Sequence, residues 1–408
     1  MSKSQHSYFA GKHPWSLTKD HLLSCYLTPF FQKTYRFSHD GIVYVDAFAG
    51  AGKFEDGTLG SPLIALSKVQ AAARKNGSKQ SVQFVLAEAN DGSRGSLLCN
   101  FRSARGNSRY IKDPIVCRGY SEAMQAVSAI RVCGSRKPST VFYYVDPFGI
   151  KDLRIDDLLH SPNMNHTEAL VNFNGVGFIR DACAARKIDC AFPPDVEILD
   201  DGFDESVRLD ERCKRLSSFI GSDDWVDIVQ LFHEGQFDFW RAEYEVARLF
   251  CCNARSAYRY VTNMPIKDMS KSVEAGGLLK YRMIHMTNSA DGCILMNDNM
   301  LNRNDEHQVL QLGLFKVDVD GRDVRPDVVT RRIDEIIEQL PVGKEIKMGE
   351  IAASIISSCG VFDKTTQLLR INIGPLLKSG RLERVVKKTK TGKAKQSFSP
   401  KDAVFRAY

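Results

Sequence analysis

The sequence predicts an α/β protein whose core is a parallel sheet buried on both faces, and three observations predict it. Short apolar runs without polar alternation recur at Ile42–Val45, Val82–Ala87, Ile115–Cys117, Val141–Val145 and Leu170–Phe173. Helical patterns separate them, and strands of this kind spaced by helices build a sheet covered on both sides. Three of the runs stop at an acid (Asp46, Glu88 and Asp146), the first inside a glycine-rich loop. Ligands of open parallel sheets bind outside the carboxyl ends of the strands. These acids therefore mark a candidate site.

The elements follow in order. Residues 1–180 carry the five runs, and Ser61 with Pro62 opens the helix after the glycine loop, serine as its cap and proline at its first position. Residues 181–255 change character, with Pro193-Pro194, acidic stretches and helical patterns around Trp225 and Trp240; they read as a helical insertion. Residues 256–322 return to the sheet through Tyr258–Val261 and Tyr281–Met286, expected as antiparallel partners at its edge.

Residues 323–408 read as a separate unit. Ile333, Ile336, Ile337 and Leu340 form a helical stripe. A strand at Lys344–Met348, helices at Glu350–Ser357 and Thr365–Leu377, and strands at Leu382–Val386 and Gln396–Ser399 complete the order of a winged helix. Gly374-Pro375 breaks the pattern of the last helix, because proline lacks a backbone donor and clashes with the preceding turn.

Composition narrows the class. The chain of 408 residues is 43% hydrophobic and 26% charged, as in globular proteins, and its net charge of +7 is mild. Eleven cysteines are scattered without a C-x-x-C pair, so no zinc site is expected and reduced thiols of a cytoplasmic protein are. No apolar run approaches the ~20 residues that span a bilayer, and Met1–Gln5 lacks the apolar segment of a signal peptide. No membrane association is expected.

The loop Asp46-Ala47-Phe48-Ala49-Gly50-Ala51-Gly52 discriminates between nucleotide sites. A phosphate loop needs glycine at 47 and a hydroxyl at 54, where Ala47 and Phe54 stand. A dinucleotide fingerprint needs a small residue at 55, where Glu55 stands. What remains is D-x-F-x-G-x-G, the pattern by which methyltransferases hold the methionine end of S-adenosylmethionine. Asp46, Phe48, Gly50 and Gly52 are the candidate cofactor residues, with Glu88 as the acceptor for ribose hydroxyls. The distance from Asp46 to Glu88 is about twice the ~20 residues of a compact unit, and the surplus lies in Lys53–Gly60.

Asp146-Pro147-Phe148-Gly149 follows the fourth run. Amine-directed methyltransferases carry an (N/D)-P-P-(Y/F) motif in this place. Its acid or amide and its proline carbonyl accept from an exocyclic amine, and its aromatic ring stacks on the base. Held by its protons, the amine turns its lone pair towards the methyl group, and transfer is governed by positioning. Asp146, Pro147 and Phe148 are the candidate catalytic residues. The motif is one proline short, and a plain turn with Phe148 packed inward is the competing reading.

Trp15-Ser16-Leu17-Thr18-Lys19, Tyr44–Gly52, Gly60-Ser61-Pro62, Asp146–Gly149 and Tyr281–Thr287 together resemble the three-Cys-motif partner proteins, over roughly residues 12–300. The resemblance implies a Rossmann-like class I methyltransferase sheet, distantly similar to ribosomal RNA adenine-N6 methyltransferases, and a partner protein that bears the cysteine motif. Within that likeness Lys19 or His21 lines the substrate side, unless each is only a surface residue; Asn172 and Asn174 are weaker candidates.

Between Lys378 and Lys395 stand eight Lys or Arg residues and one acid, Glu383. Lys387, Lys388 and Lys390 at the tip of a wing, with Arg370 on the adjoining helix, would track the phosphates of DNA or RNA. A solubilising loop is the competing reading. Two functions are thus expected: an S-adenosylmethionine-dependent methyltransferase acting on a base amine, adenine N6 first, or a catalytically inactive adaptor that keeps the fold and recruits a partner protein or nucleic acid.

Overall fold

The computed structural model describes residues 14–37, 41–77, 80–130, 140–147, 149–150, 153–189, 192–193, 207–268, 278–312, 326–360, 363–385 and 399–406. Phe148, Lys387, Lys388 and Lys390 lie outside the described residues.

Seven strands form one sheet: β1 (Ile42–Asp46), β2 (Val82–Ala87), β3 (Ile115–Cys117), β4 (Thr140–Val145), β5 (Thr167–Phe173), β6 (Tyr260–Asp268) and β7 (Leu278–Thr287), in the order β3-β2-β1-β4-β5-β7-β6. β1 to β5 run parallel, and β7 enters antiparallel between β5 and β6. Every residue of β1, β4, β5 and β7 is buried. For β1 and β4 that accounts for the unalternating apolar runs, since neither face meets water; β5 and β7 also bury charged or polar residues, among them Glu168, Asn172, Lys280, Arg282 and His285. β6 runs on well past Val261 despite Pro265, which an edge strand tolerates because one row of its backbone donors has no ladder to serve.

Helices cover both faces. On one lie α1 (Pro14–Phe37), α2 (Ser61–Asn76) and α3 (Asp91–Arg105), which share an apolar cluster with Tyr44, Phe84, Phe142 and Leu170. On the other lie α4 (Tyr120–Ala129) and, beyond the short α5 (Ile155–Leu159), the helices α6 (Gly175–Arg186), α7 (Leu209–Ile220), α8 (Trp225–His233) and α9 (Phe239–Ala254). Phe178, Phe219, Trp225 and Phe250 from these last four pack in one cluster with Val43, Val145 and Phe173. The described residues of the segment expected as a helical insertion, 181–189 and 207–255, are largely helical and supply part of the layer on that face. None of the described helices is long and apolar enough to cross a membrane.

The C-terminal residues follow α10 (Ala290–Leu312). They form α11 (Pro326–Glu338), β8 (Ile346–Lys347), α12 (Met348–Cys359), α13 (Thr365–Leu368), α14 (Gly374–Lys378), β9 (Leu382–Arg384) and β10 (Ala403–Arg406). The three strands pair antiparallel in the order β8-β10-β9. Residues 396–398 of the last strand expected from sequence lie outside the described residues. Between α13 and α14 the backbone widens into a π-helical turn, Leu369–Ile373, in which the Gly374 N–H donates to the Leu369 carbonyl. Pro375 has no N–H to continue the tighter ladder, so the turn absorbs the break with the helix direction kept.

This unit is docked on the sheet. Ile351, Ile355 and Leu368 share a cluster with Tyr260 of β6 and Cys293 and Ile294 of α10. The buried Ser357 hydroxyl accepts from the Val261 N–H at 2.9 Å, and Asp298 takes the backbone and hydroxyl donors of Thr365 at 2.7 and 2.8 Å.

Candidate functional site

The site is assembled at the carboxyl ends of β1, β2, β4 and β5, under the first turns of α1. Asp46 closes β1 and is fully buried. Its Oδ1 faces the Phe48 N–H at 3.4 Å, while its Oδ2 has no hydrogen-bond partner. Burial pushes its carboxyl up to about 7, an effect that the Ser61 hydroxyl and the Phe48 amide reduce and that Asp146 and Asp20 reinforce. Ser61 is the first residue of α2, whose cap position is Gly60, so the hydroxyl expected to cap the helix faces the acid instead.

The loop after Asp46 is tied to both neighbouring strands. The Ala47 N–H donates to the Tyr144 carbonyl at 3.0 Å and the Ala49 N–H to the Ala87 carbonyl at 2.8 Å. Gly50 and Gly52 take φ of 59° and 77°, left-handed values that a side chain would strain. They differ in surroundings: a Cβ at Gly50 would meet open space, whereas one at Gly52 would press on Leu97 at 3.0 Å. Gly50 thus leaves the loop's outer side clear, and Gly52 lets the loop pack on α3.

The surplus residues form an exposed hairpin. Lys53 bridges Leu59 antiparallel, Phe54 donates to the Thr58 carbonyl at 2.9 Å, and the Gly60 N–H returns to the Gly52 carbonyl at 2.9 Å. The chain leaves and re-enters at one point, so α2 starts as if the loop ran straight into it. Glu88 keeps its place at the tip of β2: its N–H donates to the Cys117 carbonyl at 3.0 Å, and its Oε1 accepts from the Asn90 N–H at 2.7 Å. Phe48 stacks on Tyr120, with ring centroids 6.0 Å apart.

The second half of the site centres on Asp146. Lys19 Nζ donates to its Oδ1 at 2.9 Å and Oδ2 at 2.7 Å, across 127 residues of sequence. Asn172 Nδ2 donates to Oδ1 at 2.6 Å, and the Tyr144 hydroxyl faces Oδ2 at 3.4 Å. Lys19 also lies over the Tyr281 ring, 5.1 Å from its centroid. Asn172 Oδ1 and the Tyr44 hydroxyl are buried without hydrogen-bond partners, as is Asp46 Oδ2.

The structure therefore brings Asp46, Phe48, Gly50, Gly52, Glu88, Asp146, Pro147 and Lys19 to one end of the sheet. His21, two residues further along α1, is exposed and makes none of these contacts. Arg370 is exposed on the π-helical turn of the C-terminal unit, beside the exposed Ile371. Asn174 has a local role, its side chain capping α6 through the Gly177 N–H at 2.9 Å. Asn172, rated weakly from sequence, is a member of β5 rather than of the loop after it. Among the described residues no group of three or more His, Cys, Asp or Glu side chains is placed to hold a metal ion.

Fold and site define a mixed α/β protein with a largely parallel sheet and a cluster of buried polar groups at its strand tips. No protein-family model matches the chain, and no curated protein matches it.

Proposed function

We propose that the chain is an S-adenosylmethionine-dependent methyltransferase acting on an exocyclic amine of a nucleic-acid base, with adenine N6 the first candidate. The single observation that carries the reading is the Asp46 carboxylate, sealed at the tip of β1 with Oδ2 unpartnered. An unpartnered buried carboxylate oxygen is costly, and a ligand that donates a hydrogen bond repays the cost. The strand order, with one antiparallel strand before the edge, supports this reading, since a Rossmann-like methyltransferase sheet is what the sequence resemblance implies.

The residues present fit the cofactor. Asp46 Oδ2 would take its amino group, the clear side of Gly50 would admit its methionine end, and Glu88 at the tip of β2 would take ribose hydroxyls. Bound there, the cofactor supplies a methyl group on a positively charged sulfur. The chain's own part is positioning. The Asp146 cluster holds the amine so that its nitrogen lone pair faces the methyl carbon, and the methylated nitrogen then sheds its proton to water.

The C-terminal unit reads as a winged helix whose basic segment, with Lys387, Lys388 and Lys390, would follow phosphates, while Arg370 adds a charge on its exposed helix. A partner protein bearing a cysteine motif remains part of the proposal on the resemblance alone. One observation favours the second reading, an adaptor without catalysis: Lys19 grips both oxygens of Asp146, which holds that carboxylate away from a substrate. Transfer of tritium from labelled S-adenosylmethionine onto mixed DNA and RNA separates the two. Catalysis predicts counts in the parent protein and a fall of at least about 100-fold in Asp146→Ala. Absence of counts in both proteins selects the adaptor.

A further inference from the structure

Asp146 has no acceptor capacity to spare. An ionised carboxylate offers about four lone-pair sites, and four contacts meet them: Lys19 Nζ at each oxygen, Asn172 Nδ2 at Oδ1 and the Tyr144 hydroxyl at Oδ2. A ligand amine arriving there finds its acceptor already engaged.

The next acceptor is Asn172 Oδ1. A carboxylate cannot donate, so the face of the Asn172 amide turned to Asp146 at 2.6 Å has to be its NH2. The opposite face, the carbonyl oxygen, then points away from Asp146. Asn172 is 8% exposed, and Oδ1 is shielded from water with no hydrogen-bond partner. The register holds it still: Asn172 pairs with Met283, and its neighbour Phe173 with Arg282, whose guanidinium is locked to Glu243. Asp46 Oδ2 and the Tyr44 hydroxyl are unpartnered on the same side of the sheet. The cluster thus holds buried polar oxygens without hydrogen-bond partners in more than one place.

We infer that Asn172 Oδ1 is the acceptor for the substrate's amine N–H, and that Asp146 acts on the substrate through Asn172 by fixing the amide's orientation. Lys19 compensates the Asp146 charge and leaves its NH2-binding edge in place. The substrate class is a planar base bearing at least one N–H on an exocyclic nitrogen. This rests on the methyltransferase reading, because it names the acceptor in that same site.

The test uses the full chain loaded with S-adenosylhomocysteine, titrated with a short single-stranded oligonucleotide of adenine, cytosine and thymine only, so that guanine contributes no exocyclic amine. A second oligonucleotide carries N6-dimethylated adenine and N4-dimethylated cytosine throughout, and so has no amine N–H at those nitrogens. The parent protein is expected to bind the unmodified strand about tenfold or more tightly, the effect of one buried acceptor left unpaired. Asn172→Leu is expected to keep its S-adenosylhomocysteine affinity within about twofold and to lose the discrimination. Equal binding of the two strands by the parent overturns the assignment without recourse to a variant, as does discrimination that survives in Asn172→Leu. Failure to bind S-adenosylhomocysteine is a different result, and overturns the cofactor reading together with the inference built on it.

Discussion

At about pH 8 the Asp46→Asn protein is expected to be more stable than its parent in the absence of ligand, by up to about 4 kcal/mol. Burial lifts the Asp46 carboxyl from 3.8 to about 7. The folded protein thus holds this proton more tightly than the unfolded chain does. The group's contribution to stability is complete below about pH 4 and is lost as the pH rises through about 7. Asparagine cannot ionise and escapes the loss, so denaturant midpoints of the two proteins should separate towards pH 8 and converge towards pH 4. The same substitution should weaken S-adenosylmethionine binding by roughly 10- to 100-fold, the effect of a lost charge-assisted hydrogen bond. A residue that costs stability and supplies affinity is a binding group; a variant unchanged in both respects would make Asp46 an ordinary strand end.

The second large effect is structural and lies behind the site. Arg282 of β7 donates to both Glu243 oxygens through Nε, at 2.8 and 3.0 Å, and through Nη2 at 2.7 Å, with both side chains nearly inaccessible to water. Arg282 also lies over the Tyr244 ring. Glu243→Ala removes the guanidinium's bidentate partner inside the protein and is expected to cost about 3–5 kcal/mol. Replacing both residues by apolar ones of similar size should cost far less, because the desolvation of two charges disappears with the pair. Chemical denaturation of the two variants checks this. Equal losses would mean that the packing, rather than the broken ion pair, sets the cost.

Much of the site is legible in the sequence. Asp46, Glu88 and Asp146 sit at the tips of β1, β2 and β4, which are buried on both faces except at Gln83 of β2, and a largely apolar run ending in an acid records that directly. The spacing anomaly between Asp46 and Glu88 was legible as surplus length, and its hairpin geometry leaves the loop's path to α2 intact.

Other features had no local signal. The Lys19–Asp146 pair joins residues on α1 and after β4, and only the docking of α1 across the sheet makes them neighbours. Asn172 looked minor because a polar residue within an apolar run carries no mark of which group it will meet. Its weight comes from Asp146 and from an oxygen left without a partner. The shared core of the helices between β5 and β6 leaves no trace in the sequence, because Phe178, Phe219 and Phe250 meet Phe173 only in the folded chain. The full length of β6, which continues through Pro265, is not legible because proline is tolerated within a strand only at an edge, and edge position is a property of the whole sheet.

The measurement that bears most directly on the account is a calorimetric titration of the full chain with S-adenosylmethionine at about pH 6 and about pH 8. The account predicts one site per chain, bound more tightly at the higher pH because the ligand's ammonium needs the ionised form of a carboxyl that titrates at about 7. No heat of binding at millimolar ligand, or binding that Asp46→Asn leaves unchanged at both pH values, would contradict it.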